Sequence, residues 1–173
     1  MLTHLTVQHF VLIDKLDLSF DKGLSIFTGE TGAGKSILLD ALSLVLGARG
    51  EARFVRKGEK QAIISATFHL NKNHPVYNIL TEQGLESDED LILRRTLSID
   101  GKSKAFINDQ PVGLNLLKQV GELLVEIHGQ FATHSLLNPA THRVTLDTYG
   151  DLGKERAEKA NLILEQFDNQ IKQ

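Results

Sequence analysis

The sequence contains no cysteine and no tryptophan, and only three of its 173 residues are proline. Without cysteine the chain can form neither a disulfide framework nor a thiolate metal site, and this composition suits a reducing compartment. Its 19 basic and 22 acidic residues give a net charge of -3, so bulk charge does not draw it to nucleic acid. Any contact with nucleic acid must therefore come from a local patch of basic side chains.

Long apolar segments are also missing, since uninterrupted apolar runs reach only a few residues. No segment is therefore long enough to span a membrane, and we expect no membrane partner. Residues 1–10 alternate apolar and polar side chains and lack the apolar centre of a signal peptide. These absences favour a cytoplasmic protein, and a chain that is 41% hydrophobic is long enough to bury a core.

The first third of the chain contains strand patterns followed by a helix pattern. Residues 16–20 alternate apolar and polar side chains, and the short apolar run 24–28 is typical of a buried strand. Residues 37–46 are apolar nearly all round, which predicts a helix that is buried on most faces and ends at Gly47. A glycine-rich segment lies between this strand and this helix.

The middle of the chain contains further strand and helix patterns. Strands are predicted over 61–70, 91–98, 104–108 and 123–127, and short helices over 74–83 and 114–120. Asp100-Gly101 lies between two of these strands and is a strong signal for a β-hairpin.

The tail changes character, because neither glycine nor proline follows Gly153. Its apolar residues recur at alternating steps of three and four, the spacing of a heptad seam, and they are Ala157, Ala160, Leu164, Phe167 and Ile171. An amphipathic helix on the same core and the foot of a coiled coil both fit this seam, since two heptads do not separate them. The pattern carries no stop signal, so we expect the helix to continue beyond the last residue.

One motif carries specific chemistry: Gly29-x-x-x-x-Gly34-Lys35-Ser36 matches the phosphate-binding loop. Its glycines allow successive backbone N–H groups to point inward and form a cradle for anions. Ser36 opens the following helix, whose N-terminus attracts phosphate. We expect Lys35 to reach the β- and γ-phosphates of ATP and the Ser36 hydroxyl to ligate Mg²⁺.

The residues that complete phosphoryl transfer are not evident. A hydrolysis site also needs a carboxylate near Mg²⁺ and a group that positions water. Only three apolar residues precede Glu126, and Ile127 continues the strand pattern, so we expect Glu126 to face outward. The sequence therefore predicts a nucleotide-binding site without a complete catalytic site.

These features resemble the N-terminal half of an SMC-type ABC ATPase head. The resemblance rests on the N-terminal strands, the phosphate loop with its following helix, and the hairpin over 93–108. Three segments, 28–36, 46–49 and 127–130, are typical of bacterial DNA-repair members of that family. The resemblance covers essentially the whole chain.

The resemblance implies a fold and a domain organisation. The fold is an α/β P-loop NTPase of the ABC/SMC head type, with a mixed β-sheet, an antiparallel β-layer and a C-terminal helix that starts a coiled coil. Residues 1–150 would form the N-terminal lobe of the head, and residues 151–173 would form the first turns of the coil.

The resemblance also implies roles for individual residues. The nucleotide would be held by the loop and the helix start, that is by Gly29, Glu30, Thr31, Gly32, Ala33, Gly34, Lys35, Ser36 and Ile37. Lys35 and Gln130 would be catalytic, because Gln130 would sense Mg²⁺ and the attacking water, and Ser36 and Gln130 would bind the metal. Arg56 resembles the arginine that folds back onto the phosphates in such heads, with Arg53 as the competing candidate.

Members of this family hydrolyse ATP only after two heads close on two nucleotides, and each site takes a signature motif from the other head. That motif, the Mg²⁺-bound aspartate and the catalytic glutamate belong to the C-terminal half of the head, and none of them is in this sequence. The resemblance therefore implies an ATP-binding half-head that acts in the repair of DNA double-strand breaks. Its partners would be the C-terminal half, a second identical head and DNA, at the bacterial nucleoid.

Other interpretations remain open. The chain could be the head of another SMC-like or ABC ATPase in chromosome organisation or nuclease function, or a nucleotide-gated module that dimerises without catalysis. A stand-alone P-loop kinase would need a lid with paired arginines, for which Arg94-Arg95 is thin support.

Arg94, Arg95, Lys102 and Lys104 form either a solvated strand face or a patch for the DNA backbone. The seven histidines show no metal-ligand spacing.

Overall fold

The structure is a computed structural model that describes residues 1–28, 34–85 and 90–127. Six strands form one sheet: β1 (Leu2–Phe10), β2 (Ile13–Ser19), β3 (Gln61–His69), β4 (Asp90–Ser98), β5 (Ser103–Ile107) and β6 (Gln110–Val112). The α-helices in these ranges are α1 (Gly34–Val45), α2 (Val76–Glu82) and α3 (Leu114–Leu124). A 3-10 turn, Ala52–Phe54, lies between α1 and β3.

The strand order in the sheet is β2-β1-β3-β4-β5-β6, and each neighbouring pair of described strands is antiparallel. The hairpin between β4 and β5 turns at Asp100 and Gly101, where Gly101 has a φ of +81° that glycine adopts without strain. The predicted antiparallel β-layer and this predicted hairpin are therefore confirmed.

The core lies on one face of the sheet, because buried apolar side chains alternate along the central strands. The apolar residues of this face on β3 and β4 are Ala62, Ile64, Ala66, Phe68, Leu91, Leu93 and Leu97. α1 packs against β3 and β4, and α3 packs against β5. Full burial of one large aliphatic side chain stabilises a fold by about 1.5–3 kcal/mol, so this layer holds the lobe together.

α1 ends in a glycine cap at the residue that the sequence predicts, Gly47. The Gly47 N–H donates to the Leu44 carbonyl at 3.2 Å and the Ala48 N–H donates to the Ser43 carbonyl at 3.0 Å, which is the Schellman pattern. Gly47 has a φ of +105°, a conformation that strains any other residue. The cap fixes the length of the helix that starts at the phosphate loop.

α1 and α3 approach each other so closely that only glycine fits at two positions. A Cβ atom on Gly121 of α3 would lie 2.4 Å from the Leu46 carbonyl oxygen, and one on Gly47 would lie 2.7 Å from the Lys118 Cα atom. Backbone meets backbone at this contact, so side-chain rotation cannot relieve a clash. The contact ties α3 to the C-terminal end of α1.

Two predicted strands are not found in the described residues. Residues 24–28 form neither strand nor helix, and Leu24 and Ile26 are 88% and 76% exposed. Leu123 and Leu124 belong to α3. Residues 24–28 have the composition of a buried strand, but within the described ranges no strand pairs with their backbone. The parallel pairing that a mixed sheet requires is therefore not seen in the described part of the chain.

The chain divides into two compact units, Met1–Glu126 and Ile127–Gln173, and all elements named above belong to the first. The predicted boundary at residue 150 and the predicted helix over 151–173 lie outside the described residues. Within the described ranges, no helix combines the length and the apolar character needed to cross a membrane.

Candidate nucleotide-binding site

The predicted phosphate loop leads into the first turn of α1. Gly34, Lys35 and Ser36 are the first three residues of this helix and are exposed, while residues 29–33 lie outside the described ranges. The first backbone N–H groups of a helix have no partner within it and carry partial positive charge. The first turn contains no acidic residue, so its own side chains do not repel a phosphate group.

Lys35 borders an apolar cavity of about 350 Å³ between α1 and the β1–β2 edge of the sheet. The other described lining residues are Leu2, Leu5, Leu18, Phe20, Phe27, Leu38, Leu39 and Leu42. Phe20 and Phe27 meet edge to face, with ring centroids 6.1 Å apart. Lys35 is the only charged residue among the described lining residues, so the first turn of α1 places a cation beside an otherwise apolar wall.

Arg56 follows the 3-10 turn and is anchored to the end of β1. Its backbone N–H donates to the His9 carbonyl at 2.8 Å, and the preceding Val55 pairs with Phe10 as an isolated β-bridge. Its guanidinium contacts the Asp14 carboxylate at 2.5 Å. Arg56 is thus held at the β1–β2 hairpin by an ion pair that the sequence pattern did not indicate.

Asp14 belongs to a small cluster with His9 and Glu59. The His9 Nε2 atom lies 3.8 Å from the Asp14 carboxylate, and its Nδ1 atom lies 3.6 Å from the Glu59 carboxylate. One ligand atom from each residue lies within 4.8 Å of the others, so the cluster contains the donors of a cation site. Because Arg56 already neutralises Asp14, we interpret the cluster as an ion-pair network around Arg56.

Arg53, the competing candidate, is less firmly held than Arg56. Its guanidinium pairs with Glu51 at 2.9 Å and lies 5.5 Å from the centre of the Phe54 ring. Its side chain is 73% exposed, against 36% for Arg56. Both arginines have carboxylate partners, so a phosphate that used either one would compete with that carboxylate.

The predicted Q-loop residue Gln130 and the neighbouring His128 lie outside the described residues. Glu126 is described and is exposed, as predicted, but it follows the end of α3 and does not lie in a strand. The strand predicted over 123–127 begins inside α3. Leu117, Val120 and Leu124 recur at α-helical spacing, so the helix continues to Leu124.

Cations of the β4–β5 hairpin are engaged in local ion pairs. The Lys102 ammonium lies 2.9 Å from the Asp100 carboxylate, and their hydrogen bond lowers the pKa of Asp100 and raises the pKa of Lys102. Arg94 pairs with Asp109 at 2.8 Å and lies 4.7 Å from the centre of the Phe106 ring. These contacts favour the interpretation of a solvated strand face over that of a DNA-backbone patch.

Arg95 differs from Arg94 because it lies on the core face of β4. It is 2% exposed and falls in phase with the buried Leu93 and Leu97. The sequence contained a signal for this placement. Apolar residues occupy every second position from 91 to 97 except position 95, so the alternation indicates that Arg95 faces the core. Arg94 and Arg95 therefore point to opposite faces of the sheet and do not form the paired lid that a small-molecule kinase needs.

Sequence comparison places the chain among known proteins. The profile described as the RecF/RecN/SMC N terminal domain matches residues 1–128. The chain is 44% identical over 176 residues to the DNA repair protein RecN of Vibrio cholerae, and 42% identical over 160 residues to that of Bacillus subtilis. These alignments cover 100% and 92% of this chain but 32% and 28% of the relatives, so the chain spans about a third of the length of the curated relatives it matches.

The fold also matches a solved structure, the Smc head domain with a coiled coil and joint from Pyrococcus yayanosii. The TM-score is 0.62 at 20% identity, and the match covers 98% of this chain and 36% of that chain. The resemblance to SMC-type heads is thereby confirmed for the fold. With its profile match over residues 1–128, the chain belongs to the RecF/RecN/SMC N-terminal domain family.

Proposed function

We propose that the chain is the ATP-binding N-terminal lobe of a RecN-type ATPase that acts in the repair of DNA double-strand breaks. The observation that carries this proposal is the position of Lys35 and Ser36, the last two residues of the phosphate-loop pattern, at the start of α1. Relatives that are named DNA repair proteins support the repair role. The opposite placement of Arg94 and Arg95 disfavours the small-molecule kinase.

The residues present fit ATP and Mg²⁺. Ser36 is exposed and can offer its hydroxyl to the metal, and Lys35 can pair with the β- and γ-phosphates. Residues 29–34 and Ile37 would hold the phosphates through backbone N–H groups. Bound Mg²⁺ would neutralise phosphate charge, and Gln130 would position the metal and the attacking water. Arg56 would add a further positive charge on leaving Asp14.

The exposed apolar segment before the phosphate loop supports a protein partner. Leu24, Ile26 and Phe27 are 88%, 76% and 47% exposed, and Phe27 also lines the cavity beside Lys35. Apolar surface of this extent is a common mark of an interaction site. We assign the cover of this segment to the C-terminal half of the same head. A second head would close on the bound ATP. The full-length protein would bind DNA at the nucleoid.

The proposal predicts that ATP turnover needs a second polypeptide. The chain alone should bind Mg-ATP but release phosphate no faster than a protein-free control. Addition of the C-terminal remainder of the Bacillus subtilis relative should raise turnover at least about tenfold, because it supplies the missing carboxylates. Phosphate release under both conditions is the measurement. Equal turnover with and without the added polypeptide, at a rate above the control, would contradict the half-head assignment.

The Asp14→Asn variant should bind ATP more tightly than the wild type. Asparagine keeps the shape of the side chain but removes the charge that holds Arg56, so the guanidinium becomes available to the phosphates. An exposed ion pair is worth up to about 1 kcal/mol, so the gain should be at most about fivefold. Fluorescence titration with labelled ATP measures it.

The matched control for this prediction is Glu51→Gln, which releases Arg53 in the same way. A gain with Asp14→Asn alone supports Arg56, and the gain should vanish in the double variant Asp14→Asn/Arg56→Ala. A gain with Glu51→Gln alone would transfer the role to Arg53.

A further inference from the structure

Arg95 is a buried cation in the apolar core of the lobe. It lies opposite Ile64 of β3 and Ala105 of β5 in the sheet register, and it is 2% exposed. Among the described residues it is the only charged side chain that is buried. Burial of a charge is costly unless an opposite charge or a set of hydrogen bonds compensates it.

The described residues offer Arg95 little compensation. Its Nε atom donates to the Ser103 hydroxyl at 2.8 Å, and that hydroxyl donates to the Thr96 carbonyl at 3.2 Å. No carboxylate of the described residues pairs with the guanidinium. Burial without a counter-charge lowers the pKa of Arg95. The two terminal nitrogens of the guanidinium, with their four N–H groups, have no partner among the described residues.

Arg95 lines a cavity of about 540 Å³ together with Ser103, Lys104 and Leu114. Within the described ranges, every side-chain nitrogen that is sealed from solvent has a hydrogen-bond partner. The terminal nitrogens of Arg95 are therefore not sealed, and we infer that they face this cavity. Leu114 is the first residue of α3, and Gly113 provides no side-chain cap for that helix. No acidic residue lies in the first turn of α3. A guanidinium and an uncapped helix start therefore give the cavity positive potential.

We propose that this cavity is a receptor for a carboxylate, the side chain of an aspartate or glutamate from a protein partner. A planar carboxylate matches the two terminal nitrogens of a guanidinium and accepts two parallel hydrogen bonds from them. A single negative charge balances the buried charge of Arg95, whereas Lys104, the other cation that lines the cavity, is exposed to solvent. Ala105, Val112 and Leu114 supply apolar wall for the side chains beside the acid. A DNA phosphate is disfavoured, because its bulky backbone would have to enter a core-facing cavity whose arginine is 2% exposed.

Small anions test this site in the full chain. Sodium acetate should shift the NMR signal of the Arg95 Nε–H group in a saturable way and raise the melting temperature, whereas equal concentrations of chloride should do neither. Inorganic phosphate distinguishes the source of the anion. A guanidinium can pair with phosphate too, but the additional charge and polar groups of phosphate would be buried without partners beside Arg95, so phosphate should bind more weakly than acetate. Binding of phosphate as tight as that of acetate would overturn the carboxylate assignment.

The decisive variant is Arg95→Met, which keeps the length of the side chain without its charge. It should lose the acetate effect, with affinity lowered at least about tenfold, and should unfold at the same temperature as the wild type or higher. Arg94→Met, on the opposite face of the same strand, is the matched control and should retain the effect. An acetate effect that persists in Arg95→Met overturns the proposal. Should Arg95→Met fail to fold, the wild-type Nε–H titration alone decides, and an acetate response equal to that of chloride rejects the site.

Discussion

The Lys35→Ala variant is expected to bind Mg-ATP at least about a hundredfold more weakly than the wild type. Among the described residues, the ammonium group is the only side-chain charge in the first turn of α1, where the backbone N–H groups also face the expected phosphates. Its loss removes charge-assisted contacts to the most negative part of the nucleotide. Equilibrium titration with labelled ATP, with and without Mg²⁺, measures the effect. The melting temperature should be unchanged, because Lys35 is exposed.

Two further variants sharpen this result. Lys72→Ala removes an exposed lysine from the loop between β3 and α2 and should leave ATP binding unchanged. Ser36→Ala should lower the affinity mainly when Mg²⁺ is present, since its hydroxyl is assigned to the metal. Equal affinity of the wild type and Lys35→Ala would reject the phosphate-binding role of this lysine. Equal losses in Lys35→Ala and Lys72→Ala would point to a non-specific effect of net charge.

The Gly47→Ala and Gly121→Ala variants are expected to show the largest losses of stability. At Gly121 the new methyl group would lie 2.4 Å from the Leu46 carbonyl oxygen, so the helices must separate, at a cost of about 1–3 kcal/mol. At Gly47 the methyl group would meet the Lys118 backbone, and a φ of +105° adds about 1–2 kcal/mol of strain. Thermal unfolding followed by circular dichroism should show melting temperatures lowered by several degrees or more.

Gly84→Ala separates conformational strain from the clash between helices. Gly84 has a φ of +68°, but a Cβ atom there would have nothing within 4 Å. Its substitution should therefore cost only the strain of about 1–2 kcal/mol. Gly47→Ala should lose more stability than Gly84→Ala, by the cost of the clash. Equal losses at these two positions, with no loss in Gly121→Ala, would show that α1 and α3 are not packed backbone against backbone.

Local signals in the sequence located most of the described elements. Residues 61–70, which are rich in isoleucine, threonine and phenylalanine, and residues 91–98 predicted β3 and β4, and Asp100-Gly101 predicted the turn between β4 and β5. Gly47 predicted the end of α1, because its left-handed cap is a short-range feature. Such signals depend on neighbouring residues, so a single sequence is enough to show them.

Features that depend on distant residues were not predictable in the same way. The apolar run 24–28 has the pattern of a buried strand, but a strand needs a hydrogen-bonded neighbour, which the pattern does not supply. The phosphate-loop motif marked Lys35 and Ser36, whereas the pairing of Arg56 with Asp14 arises only when the β1–β2 hairpin meets the chain after the 3-10 turn. Side-chain pairs between separate elements follow from topology.

The close contact between Gly121 and the Leu46 carbonyl couples the C-terminal end of α1 to α3. One end of α1 carries Lys35 and Ser36, and the other end presses on α3 with no side chain between the two backbones. Elements in such contact cannot slide past each other through rotamer changes, so they tilt together. A small displacement of α1 at its phosphate end should therefore move α3 as well.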